Sequence, residues 1–598
     1  MEEKPKKRWR SLATIKPRRG QLRQGARKLE EVSVSHARRF IVDRFDSIKV
    51  VRRHAVGWLT AVGLLITISA LQLMGYQQSY SLQAPVSGGV YAEGVIGPLE
   101  TINPILARSQ AEQSASRLVF SSLLNYDNTG SLRGELADSW RSENNGKRYV
   151  VELRKDLKWH DGEPVTPEDV IFTINLIKNP LVRSPLYPSW TQIKVSRVSD
   201  TAVAFDLARV YAGFPHALTF GILPRHILSN SSPESLRESD FNREPVGSGP
   251  FVFSHLQVVN PDDGRSILYL TSNEDYLRGR PRLDKFQLHV FKDSAQVKKA
   301  FLLQEINAGT ELTSQEVADI VKERDDAIVH RSKLLNGMFA FLNNDSPIFS
   351  DKTVRKAFLA ATDRTAIIKG LHGYVSPLDG PLAIDQLPSM ATKKQADFDA
   401  KQAASLLDQA GWKLGADGKR SKDTQPLIIN LISVQSGDYP VVTSEIKKQW
   451  EAVGATVVVA LREADAFQQA VIVPRAYDAL VYELELGVDP DVFAYWHSSQ
   501  ADPRGLNLSN YKSSIASDAL SSAQLRLELS ARLPKYDLFV DAWLDDTPAI
   551  ALYQPQIHYV TSPSTRSIQI STSVTSQVDR YRLVDLWTVE QAPRYASP

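Results

Sequence analysis

His160-Asp161 sets an imidazole beside a carboxylate, the pairing of a general acid/base site. The pair precedes Gly162 and the run Thr166-Pro167-Glu168-Asp169, so a turn in which Asp161 hydrogen-bonds nearby backbone is the simpler reading. Gly247-Ser248-Gly249 places a hydroxyl between glycines. It lacks the G-x-S-x-G spacing of a nucleophile elbow and reads as a tight turn between Pro245 and Pro250. Asp489-Pro490-Asp491 could hold a cation, and helix or turn initiation is the competing use. The 11 His show neither H-x-H nor H-E-x-x-H spacing, which removes support for a built-in zinc site. Cys is 0, so disulfides, thiol catalysis, iron-sulfur clusters and the cysteine of a lipoprotein anchor are all excluded. No G-x-x-x-x-G-K-[ST] is present, and any ATPase must be another chain. No catalytic residue, metal or cofactor is expected, and an enzyme ranks below a binding protein.

The elements that position these residues alternate between strand and helix. Residues 149–153 (YVVEL) read as a strand. Thr166 is an N-cap, with Pro167 at the first helical position and acids in the first turn, ahead of Val170, Ile171, Ile174 and Ile177 at helical spacing. Asp351 opens a helix carrying Val354, Ala357, Phe358 and Ala361 that could extend to Gly370. Asp399 opens another, with Ala403, Leu406, Leu407 and Ala410 on one face and Gly411 as its C-terminal stop. A helix ending near Val453-Gly454 leads into a strand over residues 456–460. Such mixing over some 500 residues, without a fixed repeat, indicates a multi-lobed α/β chain.

Charge divides the chain. Residues 1–54 hold 17 Lys/Arg against 6 acidic residues, a net +11 that leaves −8 for the remainder of a chain whose total is +3. Between the two halves, residues 55–75 contain no charge, enough at 1.5 Å per residue to span a hydrocarbon core of roughly 30 Å. Arg52, Arg53 and His54 precede it, and Tyr76 and Tyr80 follow. The positive-inside rule then puts the N-terminus in the cytoplasm and everything beyond residue 76 outside. A cleavable signal peptide has a shorter apolar region, so an uncleaved anchor is favoured. Phe40, Ile41, Phe45, Ile48 and Val51 recur at helical spacing among Arg38, Arg39, Arg44, Lys49 and Arg52. That pattern suits a basic amphipathic helix on the inner leaflet; nucleic-acid binding is the rival use, and the adjacent span decides for the membrane.

The region after residue 88 resembles the extracytoplasmic solute-binding proteins of family 5, the dipeptide and oligopeptide receptor type that serves peptide and nickel ABC importers. The resemblance starts at Leu99-Glu100-Thr101-Ile102-Asn103-Pro104 and strengthens at Leu136-Ala137-Asp138-Ser139-Trp140. It is most specific at Lys158-Trp159-His160-Asp161-Gly162-Glu163-Pro164-Val165-Thr166-Pro167-Glu168-Asp169. Pro245-Val246-Gly247-Ser248-Gly249-Pro250-Phe251, Asn273-Glu274-Asp275-Tyr276, Leu406-Leu407-Asp408-Gln409-Ala410-Gly411-Trp412 and Asp489-Pro490 follow in the family's order.

The resemblance implies a two-lobed α/β clamp of the periplasmic-binding-protein kind, with an extra subdomain in lobe 1. The expected parts are a cytoplasmic tail (1–54), an anchor (55–75), a linker (76–87), lobe 1 (88–332), lobe 2 (333–552) and a return to lobe 1 (553–598). It implies a peptide ligand, held between the lobes and passed to ABC permease subunits with separate ATPase subunits. A nickel chelate or oligosaccharide as cargo, and a membrane-tethered sensor with the same clamp, are the alternatives. By motif, Leu99, Glu100 and Asn103 lie on the loop that lines the cleft from lobe 1. Tyr482, Glu483, Glu485, Asp489 and Asp491 correspond to the stretch where peptide receptors hold the peptide amino terminus with an Asp. The sequence departs there, because the place three residues before Asp489 is Leu486. Glu485 is the candidate to take over the ammonium; otherwise the ligand is held by its internal backbone, lacks a free amine or is another solute. Trp496 and Tyr511 are candidates to pack on ligand side chains, with core packing as their other use.

Overall fold

A computed structural model describes residues 45–127, 129–463, 467–566, 568 and 573–595. The chain divides into two compact units, residues 1–84 with 592–598, and residues 85–591. In the first, the helix Phe45–Tyr80 contains His54–Met74, a stretch of mean hydropathy 1.8 that is long and apolar enough to cross a membrane. The helix continues through Tyr80, past the start of the segment read as a linker. Residues 1–44, with Phe40 and Ile41 of the expected amphipathic helix, lie outside the described residues.

The second unit is built on two large sheets. The eight-stranded sheet runs, in spatial order, Ser573–Val574, Ile328–Leu334, Gln556–Thr561, Ala308–Gly309, Val90–Ile96, Lys285–Phe291, Arg265–Ser272 and Phe251–Asn260. The six-stranded sheet runs Ser376–Pro377, Ala549–Gln554, Asn336–Leu342, Ala479–Glu485, Ile428–Val434 and Thr456–Arg462. The chain passes from the first sheet to the second across the single residue Leu335 and returns across Pro555. A four-stranded sheet, Ala137–Glu143, Arg148–Leu153, Ala202–Asp206 and Lys194–Arg197, forms a further layer on the first lobe's side.

Sequence explains the placement of the strands. Asn336–Leu342 is buried at every position, a continuous apolar run suited to a strand covered on both faces. Met338, Ala340 and Leu342 enter one core and Phe339 and Phe341 the other, as the two-residue period of a strand requires. The eight-stranded sheet has its own core, where Tyr91, Phe286, Tyr581 and Trp587 meet. Beside them Glu93 is wholly buried with Arg580: Arg580 Nε and Nη2 donate to Glu93 Oε1 at 2.8 and 2.6 Å. The hydroxyls of Tyr581 and Tyr559 donate to the same carboxylate at 2.7 and 2.6 Å. This cluster ties the end of the chain to the sheet's first long strand.

Helix boundaries follow their caps. Pro167–Ile177 begins at Thr166, whose amide donates to Asp169 at 2.8 Å. Ala400–Gln409 begins at Asp399, and beyond its C-cap Gly411 adopts φ +91°. The helix opened by Asp351 stops at Ala360 instead of extending to Gly370. Asp363 caps a separate helix, Arg364–Gly370, through the Ala366 amide at 2.9 Å, and Thr362 turns its hydroxyl back to Phe358 O at 2.7 Å.

His160 and the glycine turn prove to be one structural unit. Gly247 N donates to His160 Nδ1 at 3.2 Å, and His160 Nε2 lies 3.1 Å from Gly249 O. Burial lowers this imidazole to about 4, so it stays neutral and holds the turn. A Cβ at Gly247 would meet Val119 O at 2.0 Å, which is why the turn needs glycine. Asp161 forms the expected turn, its Oδ1 accepting from Glu163 N at 3.2 Å, while its Oδ2 meets His226 at 2.8 Å.

Candidate functional site

Strands Ile428–Val434, Thr456–Arg462 and Ala479–Glu485 are parallel, and their carboxyl ends share the edge of the second sheet nearest the crossings. Open α/β sheets bind ligands at such ends. Leu486 and Gly487 both donate their amides to Leu335 O, at 2.9 and 3.0 Å, so this wall is fixed to the crossing itself.

The candidates on this wall differ in what they touch. Tyr482 stacks on Phe467 with ring centroids 5.3 Å apart and planes 6° apart, leaving it half-buried. Glu483 accepts from Asn336 Nδ2 at 2.5 Å, and loss of water around its carboxyl raises its pKa. Glu485 pairs in register with Asn336 and is solvent-accessible. No described residue hydrogen-bonds its carboxylate; only its backbone carbonyl is used, accepting from Tyr495 Oη at 2.7 Å. Protein on either side of the open carboxylate displaces enough water to raise its pKa too.

Asp489 is committed. Arg532 grips both its oxygens, Nη1 to Oδ2 at 2.7 Å and Nη2 to Oδ1. Asp491 accepts from Phe493 N at 3.1 Å and Gln524 Nε2 at 2.8 Å, and burial raises its pKa. It lines a cavity of about 640 Å³ with Tyr211, Phe214, Phe493 and Gln192, between the four-stranded layer and the second lobe.

Two aromatic candidates are core residues. Trp496 is 0% exposed and packs edge-on against Phe339 and Trp543, at 5.7 and 5.4 Å between centroids. Tyr511 is buried and its hydroxyl donates to Asp546 at 2.7 Å. Both are taken from ligand contact by the size of the aromatic cluster between sheet and helices. Asn103 is likewise wholly buried, donating to Asn242 at 3.0 Å and accepting from Ile105 N at 3.1 Å, which makes it the organiser of its own turn. Leu99 lines a separate cavity of about 460 Å³ with Phe253 and Val258, and Glu100 is exposed. The structure therefore brings Tyr482, Glu483 and Glu485 together on one strand, puts Asn103, Asp489, Trp496 and Tyr511 in turn, ion-pair or core roles, and leaves Leu99 and Asp491 on the walls of two other cavities and Glu100 exposed.

Residues that sequence reasoning passed over lie where the lobes touch. Ser314, on the first lobe, donates its hydroxyl to Asp438 Oδ2 at 2.8 Å and its amide to Oδ1 at 3.3 Å. His372 meets Gln315 at 2.9 Å, and Ser573 donates to Asp385 at 2.7 Å. Three residues before Ser314, Glu311 takes φ +59° and accepts from Ile96 N at 2.9 Å. The Thr313–Glu316 capping box was a local signal for the helix start, but nothing local marks Glu311.

Residues 131–504 match the family described as bacterial extracellular solute-binding proteins, family 5. The oligopeptide-binding protein AppA of Bacillus subtilis is 28% identical over 492 residues, covering 79% of this chain and 88% of that one. Protein XP55 of Streptomyces lividans is 26% identical over 74% of this chain and 79% of its own length. Among solved structures, NikZ from Campylobacter jejuni in complex with Ni(L-His) superposes with a TM-score of 0.70 at 26% identity, covering 83% of this chain and 99% of that one. AppA from Bacillus subtilis with a nonapeptide gives 0.68 at 25% identity, over 84% and 99%.

Proposed function

The chain belongs to the bacterial extracellular solute-binding proteins of family 5, and from that premise we propose that it captures peptides between its lobes and delivers them to the permease of an ABC importer, without chemistry on the ligand. The expected lobe bounds at 332/333 and 552/553 shift to the crossings, so that lobe 1 ends at Leu334 and resumes at Gln556, lobe 2 runs over residues 336–554, and Leu335 and Pro555 are the hinge. Two single-residue crossings suit a hinge, because few dihedrals need change for the sheets to swing. The observation that carries the reading is Glu485, an unpaired carboxylate on the lobe 2 wall at the mouth of the crossing. Glu485 takes the peptide ammonium in place of the family's Asp, one residue before Leu486. Leu99 and Glu100 border the cleft on the lobe 1 side, and Tyr482 and Glu483 lie deeper on the same strand as Glu485.

The helix Phe45–Tyr80 anchors the receptor, with the basic tail in the cytoplasm and the clamp outside. The permease and ATPases are other chains. Likeness to NikZ, bound to Ni(L-His), keeps a nickel chelate as second reading. Among the described residues no group of three His, Asp or Glu could hold a metal, so a chelate would be gripped through its organic ligand.

A thermal-shift series on the full chain in detergent tests this with tetra-alanine, its acetylated form and nickel-histidine. A peptide at 100 times its Kd adds about 2.7 kcal/mol of stability. The shift is expected with free-amine peptide and is expected to vanish in Glu485→Ala. Equal response to acetylated peptide removes Glu485 as clasp, and response to nickel-histidine alone makes the cargo a chelate.

A further inference from the structure

The receptor reading leaves lobe 1 without a residue that grips the ligand, and residues 310–314 supply one. They connect the short strand Ala308–Gly309 to the helix Ser314–Glu323. This turn faces lobe 2, since its Ser314 is hydrogen-bonded to Asp438 and the next residue, Gln315, to His372. Within it Glu311 is held at φ +59°, a conformation that side chains with a Cβ rarely adopt. Such outliers persist where the surrounding structure imposes them and collect at ligand-gripping positions.

The Glu311 carboxyl is anchored on one side only. Oε2 accepts from Ile96 N, on the strand that leads into Leu99. Oε1 has no hydrogen-bond partner among the described residues. The charged groups around it are all committed elsewhere. Arg580 and Glu93 satisfy each other, Glu316 completes the capping box with Thr313, and Asp438 holds Ser314. Loss of water around the carboxyl raises it to about 7, against the opposing pull of the Ile96 amide and of Arg580.

We propose that Glu311 binds a cationic group of the captured solute from lobe 1, complementing Glu485 on lobe 2, so that the cleft selects peptides bearing a basic side chain as well as a free amino terminus. This rests on the peptide-receptor reading. Because Glu311 is half-ionised near neutrality, the preference for a cation strengthens as pH rises from 6 to 8. The same turn carries the cation contact and the bond to Asp438, so occupancy of the one steadies the other.

The test is calorimetric titration of the full chain in detergent, wild type and Glu311→Gln, with tetra-alanine, its single-lysine variants and spermidine. At pH 8 at least one lysine peptide should bind about tenfold more tightly than tetra-alanine, the scale of one charge-assisted hydrogen bond. That advantage, taken within each protein as the ratio to tetra-alanine, should shrink at pH 6 and disappear in Glu311→Gln. Absence of a lysine advantage in the wild type, or its survival in Glu311→Gln, overturns the inference and leaves the peptide reading standing. Failure of every peptide, tetra-alanine included, overturns the peptide reading instead. Spermidine then decides: binding lost in Glu311→Gln supports the cation contact, and equal or absent binding overturns it.

Discussion

The carboxylate in the core of the eight-stranded sheet and those at Glu485 and Glu311 have been treated in opposite ways. Glu93 is buried with Arg580 and two tyrosine hydroxyls, so its oxygens are fully satisfied. Neither Glu485 nor Glu311 makes an ion pair among the described residues: Glu485 is solvent-accessible, and Glu311 is half-buried beside an Arg580 already paired with Glu93. Burial with a partner makes a fastener, and the pair is costly to break from either side. Burial without one leaves a group whose charge is uncompensated until something arrives. Asp489 and Glu485 repeat the contrast four residues apart, the one clamped by Arg532 and the other open.

The comparison breaks most visibly at Arg580. Arg580→Met strands Glu93 in the core and should destabilise the clamp by about 3–5 kcal/mol in urea unfolding. Glu485→Ala should change it by less than about 0.5 kcal/mol, the usual range for an open surface site. An equal loss in both would erase the distinction.

A second effect follows from Glu311, whose carboxyl rises from an ordinary 4.5 to about 7. The folded state binds this proton more tightly than the unfolded one, so the stability it confers is full below pH 4.5 and drains away as pH rises through 7. Between pH 5.5 and 8.5 the loss attributable to Glu311 should be about 2 kcal/mol. Comparing the pH dependence of unfolding in wild type and Glu311→Gln measures it, and identical slopes would mean that the group is not held in this way. A smaller effect than that of Glu311 belongs to Asp438, which is paired with Ser314 on the other sheet's side. Asp438→Ala should favour opening by about 1 kcal/mol, seen as ligand release several-fold faster in stopped flow and a larger radius of gyration in X-ray scattering.

Local grammar carried much of the fold. Caps at Thr166, Asp351 and Asp399 and the stop at Gly411 were written within a few residues of where they act. The break at Thr362 was less legible, because its hydroxyl also receives the indole of Trp450 at 2.9 Å from 88 residues away. Motif order led to Tyr482, Glu483 and Glu485, which the structure places on one strand beside the crossing. It was not legible at Trp496, Tyr511 or Asn103, whose types suit ligand contact as well as core, and only the neighbours supplied by distant helices and turns separate the two. Glu311 was invisible for the same reason: its partner, Ile96, lies 215 residues earlier.

The two crossings also set an order of assembly. All the strands of the six-stranded sheet come from residues 336–554, so that half can close as soon as it has emerged. The eight-stranded sheet starts at Val90 but needs Gln556–Thr561 to fill the gap between Ile328–Leu334 and Ala308–Gly309. Its core ion pair waits longer still, for Arg580. Since a chain is made and exported from one end, the half begun first is finished last, and it must stay unaggregated while the inserted half folds ahead of it.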